Sequence, residues 1–139
     1  MGGAEAVATA VVFVWLGMVL AVSFLEAPLK FRAPGVTVRV GLGIGRLVFR
    51  ALNGVEAVFA AVLVAVALLG AVPVPVPALA AAGVLAVQLL AVRPGLNRRS
   101  DAVLAGEEAP RSRAHLVYVV LEVLKAAALL TGGVLLLAG

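Results

Sequence analysis

Residues 114–138 read AHLVYVVLEVLKAAALLTGGVLLLA. A helix needs about 20 mostly apolar residues to cross the hydrocarbon core of a bilayer, and this run is long enough. Beyond His115 at its start, its only charged residues are Glu122 and Lys125. Three more runs meet the same test. Residues 6–27 carry Glu26 alone. Residues 46–72 carry no charge from Ala51 onward apart from Glu56, and the helix could begin as early as Gly41. Residues 76–92 are uncharged, with Gln88 as the strongly polar side chain. The expected fold is therefore all-α: a polytopic membrane protein forming a single four-transmembrane-helix bundle over residues 1–139.

Composition agrees. The chain is 64% hydrophobic with a mean hydropathy of +1.20, whereas a soluble domain is nearer about 45–50% apolar. There are no cysteines, which excludes disulfides, thiolate metal sites and thiol redox chemistry. A sequence pI near 10.7 invites a nucleic-acid reading, but the basic residues flank apolar spans instead of covering a water-facing surface. No nucleic-acid partner is expected; the bases read as a topology signal, with anionic lipid headgroups as neighbours.

Apart from Lys125, every Lys and Arg lies in one of two connections. Lys30, Arg32, Arg39, Arg46 and Arg50 fall between the first and second spans, and Arg93, Arg98, Arg99, Arg111 and Arg113 between the third and fourth. The excess of Lys and Arg on cytoplasmic loops then places both loops in the cytoplasm and both termini outside (N-out, C-out). The Ala-, Val-, Leu-, Gly- and Arg-rich composition suggests a GC-rich bacterial genome, hence the cell inner membrane. Residues 1–27 lack a basic leading segment and are too long for a signal-peptide core, so the first span reads as retained. No internal repeat of the inverted-transporter type is evident.

The connections differ in character. Val72–Pro77 reads VPVPVP, a stiff turn that a helix does not readily cross. Arg93-Pro94-Gly95 is expected to end the third helix. Ser100-Asp101 could start a short surface helix, and Ser112 is a candidate N-cap for the fourth. GlyLeuGlyIleGly at 41–45 follows no strand, so it reads as close helix packing or a bend and not as a phosphate loop.

The candidate site comes from helical spacing. His115, Tyr118, Glu122 and Lys125 share one face of the fourth span, and Arg46, Arg50, Asn53 and Glu56 share one face of the second. Counted inward from the basic loops, these groups and Gln88 fall in the cytoplasmic half. Ionisable groups in a span cost at least about 2.5–3.5 kcal/mol each if they face lipid. They should therefore face one another, with Glu56 and Glu122 as partners for Lys125 and Arg50. Two readings follow. One is a buried ion network that sets helix register. The other is a cytoplasm-facing pocket lined by Arg46, Arg50, Asn53, Glu56, Gln88, His115, Tyr118, Glu122 and Lys125, holding a lipid-like or anionic small molecule. A carboxylate-rich metal site from Glu26, Glu56, His115 and Glu122 is the alternative, opposed by the nearby arginines. No metal or cofactor is expected, haem on His115 included. Trp15, mid-span, reads as packing or cavity lining.

Two resemblances add to this. Trp15 and Gly17, Ala27-Pro28 with Phe31, LeuValPhe at 47–49, ArgProGlyLeuAsn at 93–97 and His115 at the start of the last span resemble the four-helix membrane family with a transmembrane-205-type domain, distantly similar to CopD-like copper-resistance proteins. That family has no settled activity, so the resemblance implies architecture. The pair Glu122–Lys125 departs from it. Locally, ArgAlaLeuAsnGlyValGlu at 50–56 resembles the Arg-Ala-His-x-Asn-x-x-Glu signature of the membrane-associated eicosanoid and glutathione metabolism proteins. There such residues hold glutathione between subunits of a trimer. Asn53 and Glu56 match in spacing, Arg50 lies one residue too close, and the histidine is missing. No catalytic motif is decisive. Binding or transport of an amphipathic or anionic ligand by a homo-oligomer is expected ahead of a glutathione-transferase-like enzyme or a structural subunit of a complex.

Overall fold

The computed structural model describes residues 1–70, 72–110 and 113–139. It contains four long helices, each apolar enough to cross a membrane: α1 (Gly3–Arg32), α2 (Val38–Leu68), α3 (Val76–Leu104) and α4 (Arg113–Ala138). The expected Ser112 cap lies outside the described residues. Each helix packs on its sequence neighbours, and α4 closes the ring against α1. The outer faces are apolar: Leu68, Leu69 and Leu90 are each more than four-fifths exposed. Water does not tolerate such a surface over a whole bundle.

Two helices run further than expected, by the same device. α3 does not stop at Pro94. It passes into a π-helical turn over Gln88–Val92, where the N–H of Arg93 donates to the carbonyl of Gln88 five residues back, and then continues as α-helix to Leu104. Ser100 and Asp101 thus lie inside α3 and do not begin a separate helix. α1 does likewise at Pro28. A π segment spans Leu20–Glu26, the N–H of Ala27 donates to Val22, and the helix ends in a short 3-10 turn at Arg32. A proline ring strikes the carbonyl four residues earlier and has no N–H to give. Widening the preceding turn by one residue moves that carbonyl aside, so the chain bends without ending. The real stop between α2 and α3 is the proline-rich turn after Gly70, whose φ of +64° suits glycine.

α2 also starts early. Thr37 caps it, its side chain accepting from the N–H of Val40 at 3.1 Å, so Gly41, Gly43 and Gly45 lie within a helix. A side chain on Gly41 would collide with the Phe31 ring, and one on Gly45 would meet Lys30 Nζ at 3.0 Å. These glycines let the end of α1 fold down onto α2.

Packing divides the bundle in two. At the end formed by the start of α1 and the end of α4, the core is Ala8, Val12, Leu16, Leu63, Ala78, Ala81, Leu85, Leu129 and Leu136, and the buried Thr9 turns its hydroxyl back to the Glu5 carbonyl of its own helix. α4 packs tightly on α3 and α1 there. A Cβ on Gly132 would lie 2.9 Å from the backbone nitrogen of Ala78, and one on Gly133 would lie 2.7 Å from Phe13. Small residues at that contact allow the backbones to approach. The opposite end, carrying the basic segments, holds nearly all the buried polar groups.

Candidate functional site

The polar end has two layers. The inner layer is a closed ion network centred on Lys125, which is 0% exposed. Its ammonium reaches Glu56 Oε2 at 2.5 Å and Glu122 Oε1 at 2.6 Å, and donates to Gln88 Oε1 at 2.9 Å. An ammonium has three donors, and all three are used. Gln88 Nε2 donates in turn to Glu122 Oε1 at 3.1 Å. Ser23 Oγ donates to Glu122 Oε2 at 2.5 Å, and Trp15 Nε1 to Glu56 Oε2 at 2.7 Å. Every helix contributes: Trp15 and Ser23 from α1, Glu56 from α2, Gln88 from α3, Glu122 and Lys125 from α4. Two carboxylates against one ammonium are stable in an apolar interior only with such dense donation.

Above this layer, toward the basic segments, lies a cavity of about 660 Å³. Glu122 and Ser23 form its floor and join it to the network. Its cations are Lys30, Arg46, Arg50, Arg93 and Arg99, and its apolar wall includes Phe24, Pro28, Phe31, Leu42, Phe49 and Leu96. Glu122 is the lining carboxylate among the described residues, and it is already held by Lys125. Arg46 is bound by Asp101. Lys30 lies 3.7 Å from Glu26 and 5.8 Å from the centre of the Phe49 ring. Arg99 Nε donates to the Ala109 carbonyl. Even after these pairings the lining is strongly cationic.

The expected site residues separate between the layers. Arg46, Arg50, Asn53, His115, Tyr118 and Glu122 line the cavity; Glu56, Gln88 and Lys125 do not. Arg50 is not the partner of Glu56. It sits exposed at the rim, because α2 turns Glu56 inward onto Lys125 and Trp15. The ArgAlaLeuAsnGlyValGlu segment is therefore split, with Arg50 at the rim, Asn53 in the cavity wall and Glu56 in the network. The carboxylate set Glu26, Glu56, His115 and Glu122 does not converge. Glu26 turns to Lys30, and no group of three metal-ligating side chains gathers among the described residues.

Three contributors escaped the sequence reading. Trp15 reads from the sequence as packing or cavity lining, because nothing in the chain shows an indole N–H donating to Glu56. Ser23 is small and lies in a run of apolar residues. Arg93 was assigned to a helix end, since Pro94-Gly95 reads as a terminator. The unbroken α3 carries it into the cavity wall, over the Tyr118 ring at 4.8 Å and the Phe49 ring at 5.6 Å.

Several buried polar atoms of the lining have no hydrogen-bond partner within the protein: Asn53 Oδ1, Ser100 Oγ, Tyr118 Oη, and Arg93 Nε and Nη2. Such atoms cost about 1–3 kcal/mol each when left unsatisfied. Two carboxylate oxygens outside the lining, Glu26 Oε2 and Glu56 Oε1, are also without a hydrogen-bond partner, but the cavity gathers the unpartnered donors, which marks it as the place where a polar ligand would be complemented.

No protein-family model, curated protein or solved structure matches this chain. Its function has to be argued from the geometry of these two layers.

Proposed function

We propose that this chain is an integral membrane protein that binds, or moves, a small amphipathic anion in the cavity between Phe31, Arg93 and Glu122. The observation that supports this best is the charge imbalance of the lining. Of its five lining cations, Arg46 and Lys30 are paired with Asp101 and Glu26, and Arg50, Arg93 and Arg99 have no carboxylate partner among the described residues, while the lining carboxylate Glu122 is committed to Lys125. A cluster of like charges in a half-enclosed cleft raises the local concentration of an oppositely charged ligand. The aromatic and aliphatic wall suits an apolar tail beside the charged group. The Lys125 network is the rigid base that keeps the four helices, and hence the cationic rim, in place.

Native mass spectrometry from mild detergent tests this reading. Added dodecyl phosphate is expected to give a saturable adduct at one per chain, weakened severalfold by Arg50→Ala and by added salt. A dodecyl trimethylammonium control is expected to give none. Equal, unsaturable uptake of both would defeat the reading, and glutathione binding with thiol-dependent turnover would replace it by an enzymatic one.

The same proposal places both termini outside and the basic segments in the cytoplasm. Its support is that every Lys and Arg except Lys125 lies in those segments. Because the chain has no cysteine, single substitutions report without background. In intact cells an impermeant maleimide is expected to label Ala4→Cys, and to label Glu107→Cys only after permeabilisation. The reverse pattern would invert the orientation.

A further inference from the structure

The unpartnered nitrogens of Arg93 have a particular geometry. Nε and Nη2 lie on the same side-on edge of the guanidinium, and both are shielded from solvent without an acceptor in the protein. The guanidinium itself sits over two aromatic rings. Its central carbon lies 4.8 Å from the Tyr118 ring centre and 5.6 Å from that of Phe49, while those rings meet edge to face at 88° and 6.0 Å. A cation–π contact uses none of a guanidinium's hydrogen-bond donors, so its N–H groups remain available to an acceptor. Arg93 sits over the Tyr118 ring and close to its hydroxyl, yet neither Tyr118 Oη nor Arg93 Nε and Nη2 meets hydrogen-bond geometry with a protein partner. Tyr118 is only 7% exposed. Ser100 Oγ, a further unpartnered hydroxyl, belongs to the same lining.

Two parallel N–H groups on one guanidinium edge match two oxygens of a single oxyanion, a carboxylate or a phosphate monoester. A halide or a single carbonyl oxygen would have to take both donors at bent angles, whereas two oxygens accept them in parallel and nearly straight. We propose that Arg93 is the anchor of the cavity, gripping an oxyanion headgroup in a two-pronged hydrogen bond, with the Tyr118 and Ser100 hydroxyls as supplementary donors. This inference rests on the cavity's being an anion site, and it names the residue and the ligand chemistry. The other cations serve differently: Arg46, Lys30 and Arg99 are engaged with Asp101, Glu26 and a backbone carbonyl, and Arg50 is exposed at the rim. They supply field, and Arg93 supplies fit. The apolar lining beside it, Phe24, Phe31 and Leu96, would lie along a tail attached to that headgroup.

The test compares dodecyl phosphate with inorganic phosphate on the full chain in mild detergent, by native mass spectrometry and calorimetry. Arg93→Lys keeps the charge but removes the fork. It is expected to weaken dodecyl phosphate about tenfold or more, as the loss of a charge-assisted bond implies, while Arg50→Lys changes it little. A dicarbonyl reagent that modifies arginine gives a second readout on the unaltered protein, free of any folding defect. Saturating dodecyl phosphate is expected to protect Arg93 and leave the exposed Arg98 reactive. If the unaltered protein binds dodecyl phosphate but Arg93→Lys matches it, or Arg93 is not protected, the anchor is refuted and the anion site stands. If the unaltered protein binds no anion at all, the broader reading fails first and the anchor with it. Tight binding of inorganic phosphate with Arg93 protected would keep the anchor and assign it a free anion in place of a lipid-like headgroup.

Discussion

Lys125→Met is expected to destabilise the bundle by about 3–5 kcal/mol, because removing one partner of a buried ion cluster leaves uncompensated charge in the interior. Methionine fills nearly the same volume, so the loss reports charge and hydrogen bonding rather than a hole. The structure also changes which compensating experiment is informative. From spacing alone, pairing Lys125→Met with Glu122→Gln looks sufficient to neutralise a register pair. Lys125 lies as close to Glu56, at 2.5 Å, as to Glu122, at 2.6 Å, so that double variant still buries one orphaned carboxylate. It should remain clearly less stable than the parent. The triple variant Glu56→Gln, Glu122→Gln and Lys125→Met should recover most of the loss, since neutral groups of similar shape often replace buried ions at little cost. Thermal unfolding by circular dichroism in one detergent ranks all three. A single variant as stable as the parent, or a double variant equal to the triple, would contradict the shared-lysine geometry.

Trp15→Ala is expected to cost a similar amount, about 3–5 kcal/mol, from the space left by a fully buried indole. Trp15 is 0% exposed and packs beside Phe59 at 6.5 Å between ring centres. Trp15→Phe isolates the polar part. It keeps most of the ring and removes the Nε1–H that donates to Glu56 Oε2, a bond to a charged acceptor worth about 1.5–3 kcal/mol. In a Glu56→Gln background the penalty of Trp15→Phe should shrink, and a double-mutant cycle measures that coupling. Additive penalties would show that the indole acts by packing alone.

These two experiments address the network; the cavity above it depends on that base. Glu122 belongs to both, accepting from Ser23 on the cavity side and from Lys125 and Gln88 below. Loss of Lys125 should therefore also loosen the floor on which a ligand would rest. The apolar half of the bundle, closed by Gly132 against Ala78, should be less affected.

The architecture was legible in the chain because it depends on composition averaged over long windows. Four apolar runs separated by charged or proline-rich segments leave little choice but four helices, and no local detail can reverse that sum. The gathering of polar groups at one end was legible for a similar reason. A helix fixes the rise per residue, so sequence position converts directly to height along the bundle. What the chain could not show is who faces whom. Besides Glu122 on its own helix, the partners of Lys125 come from two other helices, and their rotation about their own axes is set by packing, as with the glycine contact at Ala78. That rotation turned Arg50 out to the rim and Glu56 in to Trp15. The fate of the prolines was likewise a tertiary decision. Pro94 in isolation ends a helix, but burial of Gln88 and Val92 on one side and of the α3–α2 contact on the other favours continuing through a π turn. Only that continuation carries Arg93 onto Tyr118 and turns a predicted helix end into a wall of the cavity.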